Sequence, residues 1–326
     1  MKSPIVFVKS LSSATVPLAT IALVLMALAS NGGCTRSKAL TLALPTSDWW
    51  TAAPFLTPTG VALVKESAQG LRVLEVASGL ASKNAVVAGT ADVGLAAATP
   101  LALAAANGEP LVILASYLRS AGIVGLLRPK GSINGTPPEE PIAYVASTIS
   151  ESFLYAFLDK AREGHPSSSS LPRLLEQRPP DIPAALTSGA ARSAVVWEPF
   201  LTMAASQPNM QRDATPIPFE VNLYLVTRRS IYESRLPEIT AFLKGVAASC
   251  DWLTNNPELA RAELEKRFAF TPGFLAETFP QVSYGVGLDR RRAEAEILRE
   301  ARVAQQRGRM SSAPDLSPFF PGGVRP

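Results

Sequence analysis

Two stretches about a hundred residues apart share one local grammar, and this repetition restricts the available folds more than any other feature. Residues 80–100 read LASKNAVVAGTADVGLAAATP, and residues 181–200 read DIPAALTSGAARSAVVWEPF. In each, an apolar-periodic run stops at a glycine, Gly89 or Gly189; a few small or polar residues follow, and a short apolar strand opens into a loop. The unit is helix, turn, strand, loop, used twice. Two copies predict two similar lobes whose post-strand loops, Ala97-Ala98-Thr99 and Trp197-Glu198-Pro199, face each other across a cleft.

The rest of the chain extends this pattern. Residues 39–44 are a strand candidate ended by Pro45-Thr46-Ser47-Asp48, with Trp49 and Trp50 on the loop beyond. A helix over 60–69 closed by Gly70 and a strand over 71–76 complete an opening βαβ. After the first repeat come a helix over 100–107, with proline in its first turn, and strands over 111–116 and 123–127. Residues 129–141 form a connection. Strand 142–145, the polar run Ser147-Thr148-Ile149-Ser150 and helix 151–162 then restart the pattern, while 171–175 read equally as strand or helix. Residues 221–227 are a strand returning the chain to the first lobe. Everything after it reads as helix: 236–254, 257–268, 272–279 and 290–306. Strands alternating with helices of this length predict an α/β chain with mostly parallel sheets covered on both faces. The expected division is a signal over 1–33, first lobe 34–126, second lobe 127–222, return to the first lobe with C-terminal helices 223–308, and a flexible tail 309–326. Crossings between lobes are expected near 126–128 and 219–223.

A length of 326 residues accommodates two domains, and 47% hydrophobic with 18% charged content suits globular α/β material. The net charge of +4 falls to +2 without Lys2 and Lys9 of the N-terminal segment, which carries no acid. That balance gives no case for nucleic acid, since no Lys/Arg run is interleaved with aromatics, and Arg290-Arg291-Arg292 reads as a solvated helix face. Residues 1–33 read as an export signal, because the apolar run over 16–29 falls short of the ~20 residues a membrane span needs. Cys34, after Gly32-Gly33, resembles the cleavage and lipidation site of bacterial lipoproteins, although Asn31 stands where leucine is usual. Ala27-Leu28-Ala29 offers an ordinary cleavage site instead. Cys250 reads as a small buried hydrophobe and His165 as a residue of a Ser-Pro surface loop.

No phosphate loop, dinucleotide fingerprint, H-E-x-x-H or C-x-x-C is present, and one histidine with two distant cysteines cannot make a conventional His/Cys metal site. Binding is therefore expected rather than catalysis, with no cofactor and no metal. The candidate site residues lie at predicted strand ends, where open α/β sheets bind ligands. Trp49 and Trp50 offer flat apolar surface for a ligand, or pack the lobe core. Ser147, Thr148 and Ser150 cap a helix, with Glu151 in its first turn, and can hold an anion there. Trp197 supplies a wall. Glu198 either fixes a ligand amine or an arginine, or only braces the turn into Pro199. Arg119 reads as a surface charge rather than an anion partner.

AGTADVG with its loop and proline, GEPLVILA over 108–115, DIPAALTSGAARSAVVWEPF, and LYLVTRRSIYESRLPEITAFLK leading to WLTNNPELA together resemble the periplasmic substrate-binding proteins of ABC importers for nitrate, sulfonates and taurine. The resemblance spans residues 39–279. It implies a two-lobed type II periplasmic-binding-protein fold, hinged, monomeric and not an enzyme. It further implies capture of a small anionic or zwitterionic solute for delivery to a permease and its ATPase, with any membrane contact made through a lipid on Cys34. Trp49, Trp50, the loop holding Ala98 and Thr99, Ser116, Ser147 to Ser150, Trp197 and Glu198 fall where that family lines its cleft. Two departures stand out: Ala146-Ser147-Thr148 replaces the family's Gly-Ser-Thr, and Arg192 replaces an aspartate that the first repeat keeps as Asp92. A thiamine-pyrimidine precursor synthase of the same fold needs an active-site histidine and a cysteine-rich segment, which this chain lacks. An extracytoplasmic sensor that binds without delivering is the other reading.

Overall fold

Short strands of small and branched apolar residues build two separate sheets in the computed structural model, which describes residues 39–67, 70–164, 172–268, 270 and 273–320. The export signal, Cys34 and His165 lie outside those residues. The first sheet joins β1 (Leu40–Leu44), β2 (Leu71–Glu75), β3 (Val93–Ala97), β4 (Leu111–Ser120), β10 (Val221–Arg228) and β11 (Val282–Gly287) in the order β11-β4-β10-β3-β1-β2. The second joins β5 (Val124–Pro129), β6 (Ile142–Tyr144), β7 (Leu174–Glu176), β8 (Ser193–Trp197) and β9 (Met210–Arg212) in the order β7-β6-β8-β5-β9. In both, the strand that arrives from the other lobe runs against its neighbours: β5 is antiparallel to β8 and β9, and β10 to β3 and β4. The βαβ pairs β1–β2, β1–β3, β6–β7 and β6–β8 are parallel.

Twelve helices occur among the described residues: α1 (Trp49–Leu56), α2 (Pro58–Ser67), α3 (Gly79–Val87), α4 (Ala98–Ala106), α5 (Ile149–Gly164), α6 (Ile182–Thr187), α7 (Phe200–Ala205), α8 (Arg229–Ser234), α9 (Leu236–Asn255), α10 (Pro257–Phe268), α11 (Phe274–Thr278) and α12 (Arg290–Gln306). Strand alternation divides the first lobe into two layers. Leu42, Leu44, Leu95 and Leu225 face one core with Phe55 of α1, Val64 of α2 and Phe242 of α9. Ala43, Ala96, Tyr224 and Val226 face another, with Val86 of α3, Leu101 of α4 and Ile297 of α12. None of these helices is long and apolar enough to cross a membrane.

The repeated unit is structurally matched position for position. Gly89 and Gly189 follow their helices at φ +81° and +77°, the left-handed turn that a glycine tolerates without a side-chain clash. Ala91 N donates to Ala85 O and Ala191 N to Ala185 O, both at 3.0–3.1 Å. Val93 then pairs with Leu42, and Ser193 with Ile142. Arg192 changes only a brace: Asp92 Oδ2 accepts from Thr41 N at 2.9 Å, whereas Arg192 is exposed. The backbone bond survives in both copies, Asp92 N to Thr41 O and Arg192 N to Pro141 O, each at 2.8 Å.

Four expectations require correction. Trp49 and Trp50 do not sit on a loop; they open α1, where both are buried. The chain leaves the first sheet over 121–123, so 126–128 lie inside β5, and it returns over 213–220. The region after β10 is not all helix, since β11 pairs antiparallel with β4. Nor is 309–326 unpacked throughout. Met310, Leu316, Phe319 and Phe320 are buried against α12 and its layer, with Pro318 O accepting from the Arg229 guanidinium and Phe320 beneath Arg290 at 5.2 Å. Large apolar side chains spaced among Ser and Pro override the composition, because each buried Phe is worth roughly 1.5–3 kcal/mol.

Candidate functional site

β1 ends in a tight turn that delivers Asp48 to the N-cap position of α1, yet its carboxylate caps nothing. It faces a narrow cavity between the sheets. The first lobe contributes Pro45, Asp48, Trp50 and Thr51, the Ser78-Gly79-Leu80 start of α3, and Ala97 with Pro100; the second contributes Thr148, Ile149 and Trp197. Asp48 is the only ionisable group among these. It is 3% exposed, and the Ser47 hydroxyl reaches it only at a long 3.4 Å. Burial pushes its carboxyl up to about 7, against a smaller downward pull from the Trp197 N–H and Ser47. Trp197 Nε1 is directed at Asp48 closely enough to favour the carboxylate, but it forms no hydrogen bond of good geometry.

The cavity is about 40 Å³. A water needs roughly 10–15 Å³ of such space and ligand pockets run to ~300–1,000 Å³, so the lobes are closed upon each other here. Three sets of contacts hold them. Trp50 Nε1 donates to Glu198 O at 2.9 Å. Thr99 of α4 and Ser152 of α5 lie 2.9 Å apart, and both reach the buried Glu300 carboxylate of α12. Arg309, just beyond α12, meets Ser147 Oγ at 2.9 Å and Glu151 at 3.2 Å, and Arg307 lies 3.6 Å over the Tyr155 ring.

The candidate residues separate into groups. Trp50, Thr148 and Trp197 line the cavity. Trp49 does not; it is core, stacked on Phe279 at 6.0 Å and edge-on to Phe274 at 6.4 Å. Ala98 packs into the second core layer, and Thr99 serves the lobe contact. Ser116 lies on another surface, beside Arg119, Asn222 and Tyr224, where Arg119 meets Glu220 at 3.8 Å. Ser150 is a staple: its hydroxyl donates to Val195 O at 2.7 Å and accepts from Val145 N at 3.0 Å. The expected anion position is occupied from within, since Ser147, at φ +59°, gives its N–H to the Glu151 carboxylate at 2.7 Å. Glu198 braces its own turn, accepting from Thr202 N at 3.0 Å and Thr202 Oγ1 at 2.9 Å, with Arg212 at 3.6 Å. Burial raises its pKa, and those bonds partly offset the rise. Sequence reading missed Asp48, Ser78 and Gly79. Asp48 reads in sequence as the end of the turn after the first strand, with Trp49 and Trp50 on a loop beyond, so nothing there marks its carboxyl as facing a cavity.

Two α/β lobes, each with strand order 2-1-3-n-4 about an incoming antiparallel strand and a cavity between them, define the two-lobed periplasmic-binding-protein fold of type II. The chain is similar to the alkanesulfonate-binding protein SsuA from Xanthomonas axonopodis pv. citri bound to MOPS, at 14% identity and TM-score 0.71, over 87% of this chain and 98% of that one. It is similar to the periplasmic aliphatic sulphonate binding protein SsuA from Escherichia coli at 16% and 0.70, over 87% and 97%. It also resembles the periplasmic nitrate-binding protein NrtA from Synechocystis PCC 6803, at 16% and 0.55, over 71% and 67%. No family model matches the chain, and no curated protein matches it in sequence.

Proposed function

We propose that this chain is the extracytoplasmic solute-binding component of an ABC importer, which captures one small solute between its lobes and presents it to a permease with its ATPase. The observation that carries the reading is a cavity lined by helix starts and tryptophans from both lobes, on a fold shared with sulfonate- and nitrate-binding proteins. Closing two rigid lobes over a solute buries it, and the solute shifts the open–closed balance by its differential affinity for the two states. The protein acts as a monomer in the periplasm or on the outer face of the membrane, held there by a lipid on Cys34. Of the nitrate, sulfonate and taurine classes, the zwitterion suits the lining best. Asp48, the one ionisable group of that lining, favours the amine end of such a solute and disfavours a simple anion.

A thermal-shift screen over nitrate, bicarbonate, taurine, alkanesulfonates, aromatic carboxylates and pyrimidines tests the reading. A rise in melting temperature with one of them is expected, and no rise with any, using folded and solute-free protein, contradicts it. Trp197→Ala is expected to lower affinity for the solute so found; unchanged affinity removes Trp197 from the site. Mass spectrometry of the mature N-terminus tests the anchor, and an unmodified start at Ser30 rules it out.

A further inference from the structure

Asp48 has a combination of properties that packing alone does not account for. Its side chain is nearly sealed from solvent, it lines the interlobe cavity, it makes no ion pair with any described residue, and it does not cap the helix that it precedes. The cavity holds no Lys or Arg to neutralise it. Trp50 and Trp197, contributed by opposite lobes, line the same space, and Trp197 turns its N–H edge toward the carboxylate. A buried carboxylate without a cation is costly in the empty protein.

We infer that Asp48, flanked by Trp50 and Trp197, is the recognition point for a positively charged amine or amidinium group of the solute, and that the protein selects aminated solutes over their amine-free anionic counterparts. The inference rests on the solute-binding reading and specifies its ligand class. Asp48 accepts hydrogen bonds from the ammonium, the indoles cover its apolar flanks, and lobe closure removes water from the pair. Since the carboxylate titrates at about 7 in the empty protein, binding of an ammonium releases a proton from Asp48 and tightens as the pH rises through that value. Tyr117 also senses Asp48. Its hydroxyl is committed to Thr51 O at 2.9 Å, and burial holds its pKa well above the ordinary value, so it stays neutral across this range.

Calorimetric titration of the full mature chain with matched pairs tests the inference: 2-aminoethanesulfonate against ethanesulfonate, propylammonium against propionate, and benzamidinium against benzoate. At least one aminated member is expected to bind while its partner does not. Asp48→Asn should weaken that binding by roughly 30-fold or more, as expected when one side of a buried charge pair is removed. The wild type should bind more tightly at pH 8 than at pH 6 with proton release, a dependence that also reads out should Asp48→Asn fold poorly. Binding of an amine-free anion equal to or tighter than that of its aminated partner overturns the inference and leaves the solute-binding reading standing. Absence of binding by every member, of both kinds, to folded and solute-free protein overturns the inference, and the solute-binding reading falls with it when the wider thermal-shift screen is blank as well.

Discussion

Asp48 opposes folding in the empty protein. Its folded-state pKa is raised to about 7 from 3.8, so the fold favours the protonated form; that contribution is complete below the unfolded value and is lost as pH rises through about 7. Asp48→Asn is therefore expected to stabilise the solute-free protein at pH 8 by roughly 2–4 kcal/mol, at ~1.4 kcal/mol for each tenfold change in proton affinity, with little gain at pH 4. Urea unfolding at the two pH values checks this, and equal effects at both would show that the carboxylate is not desolvated. Trp50 makes the complementary prediction. Trp50→Phe keeps the ring surface but leaves Glu198 O without its donor in the closed form, at a cost of about 1–3 kcal/mol. Solute affinity should fall, and because the bond and the buried ring belong to the solute-free closed structure as well, the melting temperature of the free protein should fall with it. Glu198→Gln, by contrast, is expected to leave affinity within about 2-fold, because the carboxylate serves Thr202 and Arg212 rather than the cavity.

Elements decide which of those residues reach the site. The αβ repeat was legible because helix periodicity, a stop glycine and an apolar strand recur in both copies, and the matched turns at Gly89 and Gly189 bear this out. The site was less legible, because residues adjacent in sequence diverge in direction once an element begins. Trp49 and Trp50 differ by one helical position, about 100° of rotation, and one enters the core while the other meets the cavity. Ser147, Thr148 and Ser150 divide in the same way among a lobe contact, the cavity and a buried staple. The segment after α12 escaped reading because composition reports average polarity, not where four apolar side chains land. Phe319→Ala should destabilise the protein by roughly 3–5 kcal/mol, the usual penalty for emptying a buried phenylalanine site, whereas an unpacked tail would show no change on urea unfolding.

For the molecule as a whole, function depends on the lobes separating and closing again. The chain passes between sheets at 121–123 and 213–220, both outside the strands, so rotation there disrupts no ladder. Opening must break the polar contacts of Trp50 with Glu198, Thr99 and Ser152 with Glu300, and Arg309 with Ser147 and Glu151, together with the stacking of Arg307 on Tyr155, and must part apolar side chains that the two lobes share in one core cluster. A neutral hydrogen bond is worth about 0.5–1.5 kcal/mol and one to a carboxylate about 1.5–3 kcal/mol, so a bound solute sets the balance through contacts of that order made in the closed form. Of the four tryptophans, Trp50 and Trp197 meet the cavity, Trp49 is packed in the core and Trp252 lies in α9, so indole emission reports directly on where a solute sits. The measurement is a fluorescence titration of the wild type, Trp252→Phe and Trp50→Phe/Trp197→Phe with the solute identified by thermal shift. A cleft site predicts a saturable one-to-one change that persists in Trp252→Phe and disappears in the double variant; a change of full amplitude and unchanged affinity in the double variant would contradict it.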